Sequence, residues 1–198
     1  LKDDAGAFEA YRDAFALSPR DELGAKIRRL GQGERLHLAE ESLRNAASDE
    51  SVSDVLLGLY VEVLRETKGD ALFAALGRYA SRFPTNLDLY AELAETAPEN
   101  ERLDALRELF ERASGLFSRG ASAKGELAPE EAAIRALDEL ISLLGERGEA
   151  REQASRLIEG ARLPIGLERS LEYRRRAASI FAKELGDRSS AIDLYRDI

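Results

Sequence analysis

Apolar residues in this chain recur at three- and four-residue steps from one end to the other, and no stretch reads as a strand. That spacing keeps one face of an α-helix dry and leaves the other to solvent. Near the start, Ala7, Phe8, Tyr11, Ala14 and Phe15 follow it. In the middle, Leu103, Leu106, Leu109, Phe110, Ala113, Leu116 and Phe117 form a regular stripe. Turn signals separate the periodic segments: Ser18-Pro19, Gly31 with Gly33, Ser48 to Ser51, Gly69-Asp70, Phe83-Pro84, Pro98 to Asn100, Gly145 with Gly148, Leu163-Pro164 and Gly186-Asp187. With a further break from Ser118 to Leu127 they delimit about eleven short helices, an all-α chain.

Several ends can be read locally. Ser18 is placed to accept from a backbone N–H, with Pro19 at the first helical position. Gly31 and Gly33 make the next turn through positive φ. Asn100 is the expected cap of the seventh helix, and Pro129 with Glu130 and Glu131 opens the eighth. The fourth helix, with Val52, Val55, Leu56, Leu57, Leu59, Tyr60, Val61, Val63 and Leu64, is apolar over most of its circumference and should be covered on more than one side. Ser118 to Leu127 alone has the composition of a linker, and is expected to be a mobile loop between helices or a boundary between packed halves.

Composition removes several function classes. The chain has 198 residues with 44% apolar and 34% charged, which suits a folded helical protein. Its formal net charge of −9 argues against a general grip on nucleic acid, which needs a basic face. There is no cysteine, so thiolate metal sites, disulfides and cysteine nucleophiles are excluded together. No apolar run is long enough to span a bilayer and no signal-peptide pattern is present. A soluble chain follows, with the compartment open and the cytoplasm slightly favoured. There is no methionine, even at position 1, so a fragment or processed form is expected.

Candidate chemistry is sparse. His37 is the sole histidine, with Glu40 and Glu41 at helical spacing, an arrangement common on a solvated face. Adjacent acids such as Glu130-Glu131 and Asp138-Glu139 point apart on a helix. The glycines sit singly at turns rather than in a phosphate loop, and the serines lack a His/Asp context. No catalytic residue, metal ligand or cofactor is therefore assigned. Tyr173-Arg174-Arg175-Arg176 is the most distinctive charge feature. It reads either as a helix laced by ordinary salt bridges or as a basic patch for an acidic peptide.

The two ends repeat one pattern: Ala7-x-x-x-Tyr11-Arg12-Asp13-Ala14 and Ala191-x-x-x-Tyr195-Arg196-Asp197-Ile198. Helix hairpins recur at roughly 31 to 35 residues, near the period of about 34 for one helix–turn–helix repeat class. On these features the chain resembles the tetratricopeptide repeat family. Ala7, Tyr11, Ala14 and Pro19 have the spacing of that family's second helix and closing proline, and Gly186-Asp187, Ala191, Tyr195 and Ile198 that of its turn and second helix. The middle repeats are degenerate. Ala39, Leu43 and Ala46 lack the aromatic, as do Ala154, Ile158 and Ala161; Ala74 is followed by Arg78; and there is no tryptophan.

The resemblance implies an α-solenoid, a right-handed superhelix of antiparallel hairpins forming a single array over 1–198. It implies a non-enzymatic scaffold that binds a peptide or partner protein in a concave groove. Groove positions of the family fall on Tyr173, Arg176, Ile180 and Lys183 in the last repeat, and the same mapping gives Arg28 and Tyr90. That mixture suits a partner segment carrying carboxylates. The lysines and asparagines with which one subset of the family grips a C-terminal carboxylate are not placed here. Alternative roles are an architectural spacer or oligomerisation segment, or a regulatory appendage of a larger protein whose activity lies elsewhere.

Overall fold

The structure is a computed structural model that describes residues 4–196. Among the described residues it holds eleven α-helices, one 3-10 turn and no strand. Two compact units divide at Phe83 and Pro84.

The first unit contains α1 (Asp4–Leu17), α2 (Asp21–Leu30), a 3-10 turn over Gly33–Arg35, α3 (Leu36–Ala47), α4 (Asp54–Thr67) and α5 (Leu72–Ser81). Each helix packs on the next; α1 also reaches α3, and α2 reaches α4. The interior is apolar, with Phe8, Phe15, Ile27, Leu43, Leu57, Leu64 and Leu76 almost fully buried. As its sequence predicts, α4 is covered on several sides, by α2, α3 and α5, and buries Leu56, Leu57, Tyr60, Val61, Val63 and Leu64. Gly24 lets α2 approach α4 closely, because a Cβ there would collide with the Leu56 side chain.

Three local expectations are corrected here. α1 runs on to Leu17, and the Ser18 N–H donates to the Ala14 carbonyl at 3.1 Å, so Ser18 ends α1 rather than capping α2. Pro19 consequently precedes α2, whose N-cap is Arg20 without a side-chain bond. Gly31 has φ −82°, outside the left-handed region; it is small because Ala39 Cβ sits 2.5 Å from where its own Cβ would be. Gly33, at φ +59°, does take the positive value. Ser53 is a true cap, accepting from the Leu56 N–H at 3.1 Å.

The contact face of α1 also differs from the repeated pattern. Phe8 and Phe15 are buried, whereas Ala7 and Tyr11 are half-buried and Ala14 is exposed. The larger aromatic rings win the interior. Tyr11 instead lies under the Lys26 ammonium, 4.7 Å from its ring centre.

The second unit contains α6 (Leu87–Thr96), α7 (Arg102–Ser118), α8 (Pro129–Glu146), α9 (Ala150–Ala161), α10 (Leu167–Lys183) and α11 (Arg188–Arg196). Each again packs on its successor, and α6 also meets α8. Pro129 occupies the start of α8, with Glu130 and Glu131 in its first turn, as expected. Asn100 does not cap α7. The Pro98 carbonyl accepts from the N–H groups of Glu101 and Arg102, both at 2.9 Å, and this turn moves the cap position to Glu101.

The connector between α7 and α8 is tied down. Asp88, in the first turn of α6, accepts from the N–H groups of Glu126 and Leu127, each at 2.8 Å. The Lys124 N–H donates to the Thr85 carbonyl at 2.8 Å. At the end of the unit, Ala191 of α11 is buried while Ile192 and Tyr195 are about half exposed. Asp197 and Ile198 of the closing pattern lie outside the described residues.

Candidate functional site, the outer stripe of α10

α10 follows Gly166, whose φ of +84° turns the chain out of the preceding loop. Its buried side carries Tyr173, Ala177, Ala178 and Ile180. Gly160 of α9 makes room for this side, since a Cβ there would meet Leu137 and come within 3.2 Å of the Tyr173 ring. The Tyr173 hydroxyl donates to Asp138 of α8 at 3.0 Å. Burial first, and then the Asp138 charge, push the Tyr173 phenol up to about 12. α10 is thus anchored along one edge.

Next to the anchored edge runs an open one. Residues 169, 176 and 183 are seven apart, so they project from nearly the same side of the helix. All three are cations: Arg169, Arg176 and Lys183, and all are exposed. Among the described residues none of them has an ion-pair partner within 4.0 Å. Elsewhere, Arg28, Arg82, Arg107, Arg112, Arg135 and Arg156 each hold a carboxylate. α10 carries five cations and two acids in a chain whose net charge is −9. Arg169 also borders a cleft of about 620 Å³ against α8, walled by Glu131, Ile134 and Asp138.

The six residues expected at a groove are placed unequally. Arg176 and Lys183 are exposed. Tyr173 and Ile180, at 1% and 8% exposure, share their stripe but face inward. Tyr90 is 1% exposed and lies beneath the Arg112 guanidinium, 4.3 Å from its ring centre. Its phenol is raised, mainly by burial. Arg28 belongs to the first unit, where it pairs with Glu62 at 3.4 Å and with Glu66, fastening α2 to α4. Sequence reasoning missed Arg169, although its step of seven from Arg176 was a signal that could have found it.

Arg78, which breaks the apolar spacing of its helix, has a structural use. Its guanidinium donates to the Ala47 carbonyl at 2.5 Å and the Asp49 carbonyl at 2.9 Å. One turn on, Arg82 donates to the Val52 carbonyl and to Asp54, both at 2.7 Å. Together they clasp the α3–α4 connector.

His37 is exposed on α3, and Glu40 beside it is held by Arg44 at 2.5 Å. Among the described residues no group of three or more His, Asp or Glu side chains is disposed to hold a metal ion. No helix among them is long and apolar enough to cross a membrane. No family model matches this sequence, and no curated protein matches it significantly.

Proposed function

We propose that the protein is a non-enzymatic scaffold that holds a partner protein or peptide on its open helix faces, without a role in nucleic-acid binding. In this reading each unit is a run of tetratricopeptide-like hairpins stacked as a right-handed α-solenoid. The sequential packing of helices, with added contacts between alternate ones, supports that stacking. The binding role is carried by one observation: Arg176 and Lys183 stand in solvent, with no ion pair within 4.0 Å among the described residues, on a helix whose adjacent edge is anchored by Tyr173 and Ile180. Exposed cations on an anchored helix steer an oppositely charged partner.

The test is affinity capture from extracts of the source cells with wild-type chain and with an Arg176→Glu, Lys183→Glu variant. A partner retained by the wild type and lost by the folded variant supports the reading. Identical capture by both discards the site, and no captured protein discards the scaffold.

A second reading, an oligomerisation or spacer segment, is favoured by the outer face of α11, where Ile192 and Tyr195 are 51% and 52% exposed. Light scattering separates the two. A dimer that Ile192→Glu with Tyr195→Glu converts to monomer supports assembly through α11; a wild-type monomer at all concentrations rejects it.

A further inference from the structure

We infer that the stripe Arg169, Arg176 and Lys183 takes an extended acidic segment of a protein, one whose carboxylates recur at every third residue. The inference rests on the scaffold reading above and specifies what its α10 face would recognise. Steps of seven residues on a helix advance about 10.5 Å, so the three cations span about 21 Å. An extended segment in the polyproline II conformation has three residues per turn and rises about 3.1 Å per residue, so every third side chain returns to one face after about 9 Å. Carboxylates spaced by two intervening residues therefore stay in register with all three cations.

A helical partner fits less well. Docked helices need an apolar seam, read as anchors at helical spacing. The apolar residues of this stripe, Tyr173 and Ile180, are already 1% and 8% exposed and have little surface to offer. What this stripe of α10 presents is charge, and an extended segment can meet it without an apolar face.

Nucleic acid and anionic lipid share the sign of the charge but not the setting. The Arg169 end of the stripe is bordered by Glu131 and Asp138, and Glu172 is exposed on α10 between Arg169 and Arg176. A continuous phosphate array would be held against these acids, whereas separate carboxylates can avoid them. Glu172 makes no ion pair within 4.0 Å to Arg169 or Arg176.

The experiment is fluorescence anisotropy at low ionic strength with the whole chain and two labelled peptides. One carries three glutamates separated by pairs of neutral residues; the other carries the same three glutamates in succession. The spaced peptide is expected to bind about tenfold more tightly, from three exposed charge pairs engaged together rather than singly. Charge reversal of Arg169, Arg176 or Lys183 should each weaken it about threefold. Arg175→Glu, an equal charge change about 100° around the helix, should leave the preference for spacing intact. Circular dichroism melting of each variant establishes that it is folded.

Equal affinity for the two peptides overturns the inference. So does a loss for Arg175→Glu as large as that for Arg176→Glu, or tighter binding of an oligothymidylate or of phosphatidylserine vesicles. If neither peptide binds while partner capture persists, the acidic-segment inference fails and the scaffold reading stands.

Discussion

Arg107 of α7 grips Glu152 of α9 through two parallel hydrogen bonds, from Nε at 2.8 Å and Nη2 at 2.6 Å. The same guanidinium reaches Asp104 at 2.6 Å, and Glu152 also faces Arg156 at 3.5 Å. A two-pronged pair of this kind is geometrically selective and stronger than a single contact. The Arg107 bonds hold the Glu152 carboxyl below its ordinary range, against the opposing effect of burial.

Glu152→Gln is expected to cost about 1–2 kcal/mol at neutral pH, read from urea denaturation. Because the folded-state value is depressed, the stabilisation is complete above the unfolded carboxyl value of about 4.3. It disappears as pH falls through the lower folded value. The gap between wild type and variant should therefore close on acidification below that range. A gap unchanged down to low pH would mean that the pair adds no charge-dependent stability.

Arg78→Ala should cost about 1–3 kcal/mol, because the carbonyls of Ala47 and Asp49 lose charged donors at the end of α3. Arg78→Lys should recover less than half of that, since one ammonium cannot reproduce the planar fork. Thermal denaturation of the two variants measures the difference. Full recovery by lysine would show that charge alone matters at this position.

Two helical glycines should respond with opposite signs. Gly160→Ala should destabilise by about 1–3 kcal/mol, because its Cβ collides with Leu137 and crowds Tyr173. Gly115→Ala should stabilise by about 0.5–1 kcal/mol, since its nearest neighbour is the flexible Arg119 side chain at 3.7 Å. Chemical denaturation of both reads the contrast, and a stabilised Gly160→Ala would show that Leu137 of α8 and Tyr173 of α10 give way to the added Cβ.

Asp88→Ala removes both acceptors that tie Glu126 and Leu127 to the start of α6. The connector should open more often, and limited trypsin digestion after Lys124 should quicken about tenfold. An unchanged cleavage rate would show that the Lys124–Thr85 bond holds the segment without Asp88.

Much of this architecture was legible from residue order. Helix positions emerged from the three- and four-residue spacing, because that period places apolar side chains on one face whatever the face later meets. Leu103 to Phe117 became α7, and the nearly all-apolar run around Tyr60 became the multiply covered α4. Capping was read less well at Ser18 and Asn100, where a hydrogen bond made by the neighbouring backbone displaced the helix boundary.

The candidate site was legible only in part, for a related reason. Periodicity says that Tyr173, Arg176, Ile180 and Lys183 share one stripe of α10. It does not say which neighbour covers which edge. Asp138 of α8 and the space left by Gly160 draw Tyr173 inward, and Arg112 closes over Tyr90. The same packing gives Arg28 to Glu62 and Glu66 and, among the described residues, leaves Arg169, Arg176 and Lys183 without an ion pair within 4.0 Å. Local spacing, a property of one helix, determined what could lie together. Burial and ion pairing need a second helix, so tertiary contact alone decided which of those residues remain exposed.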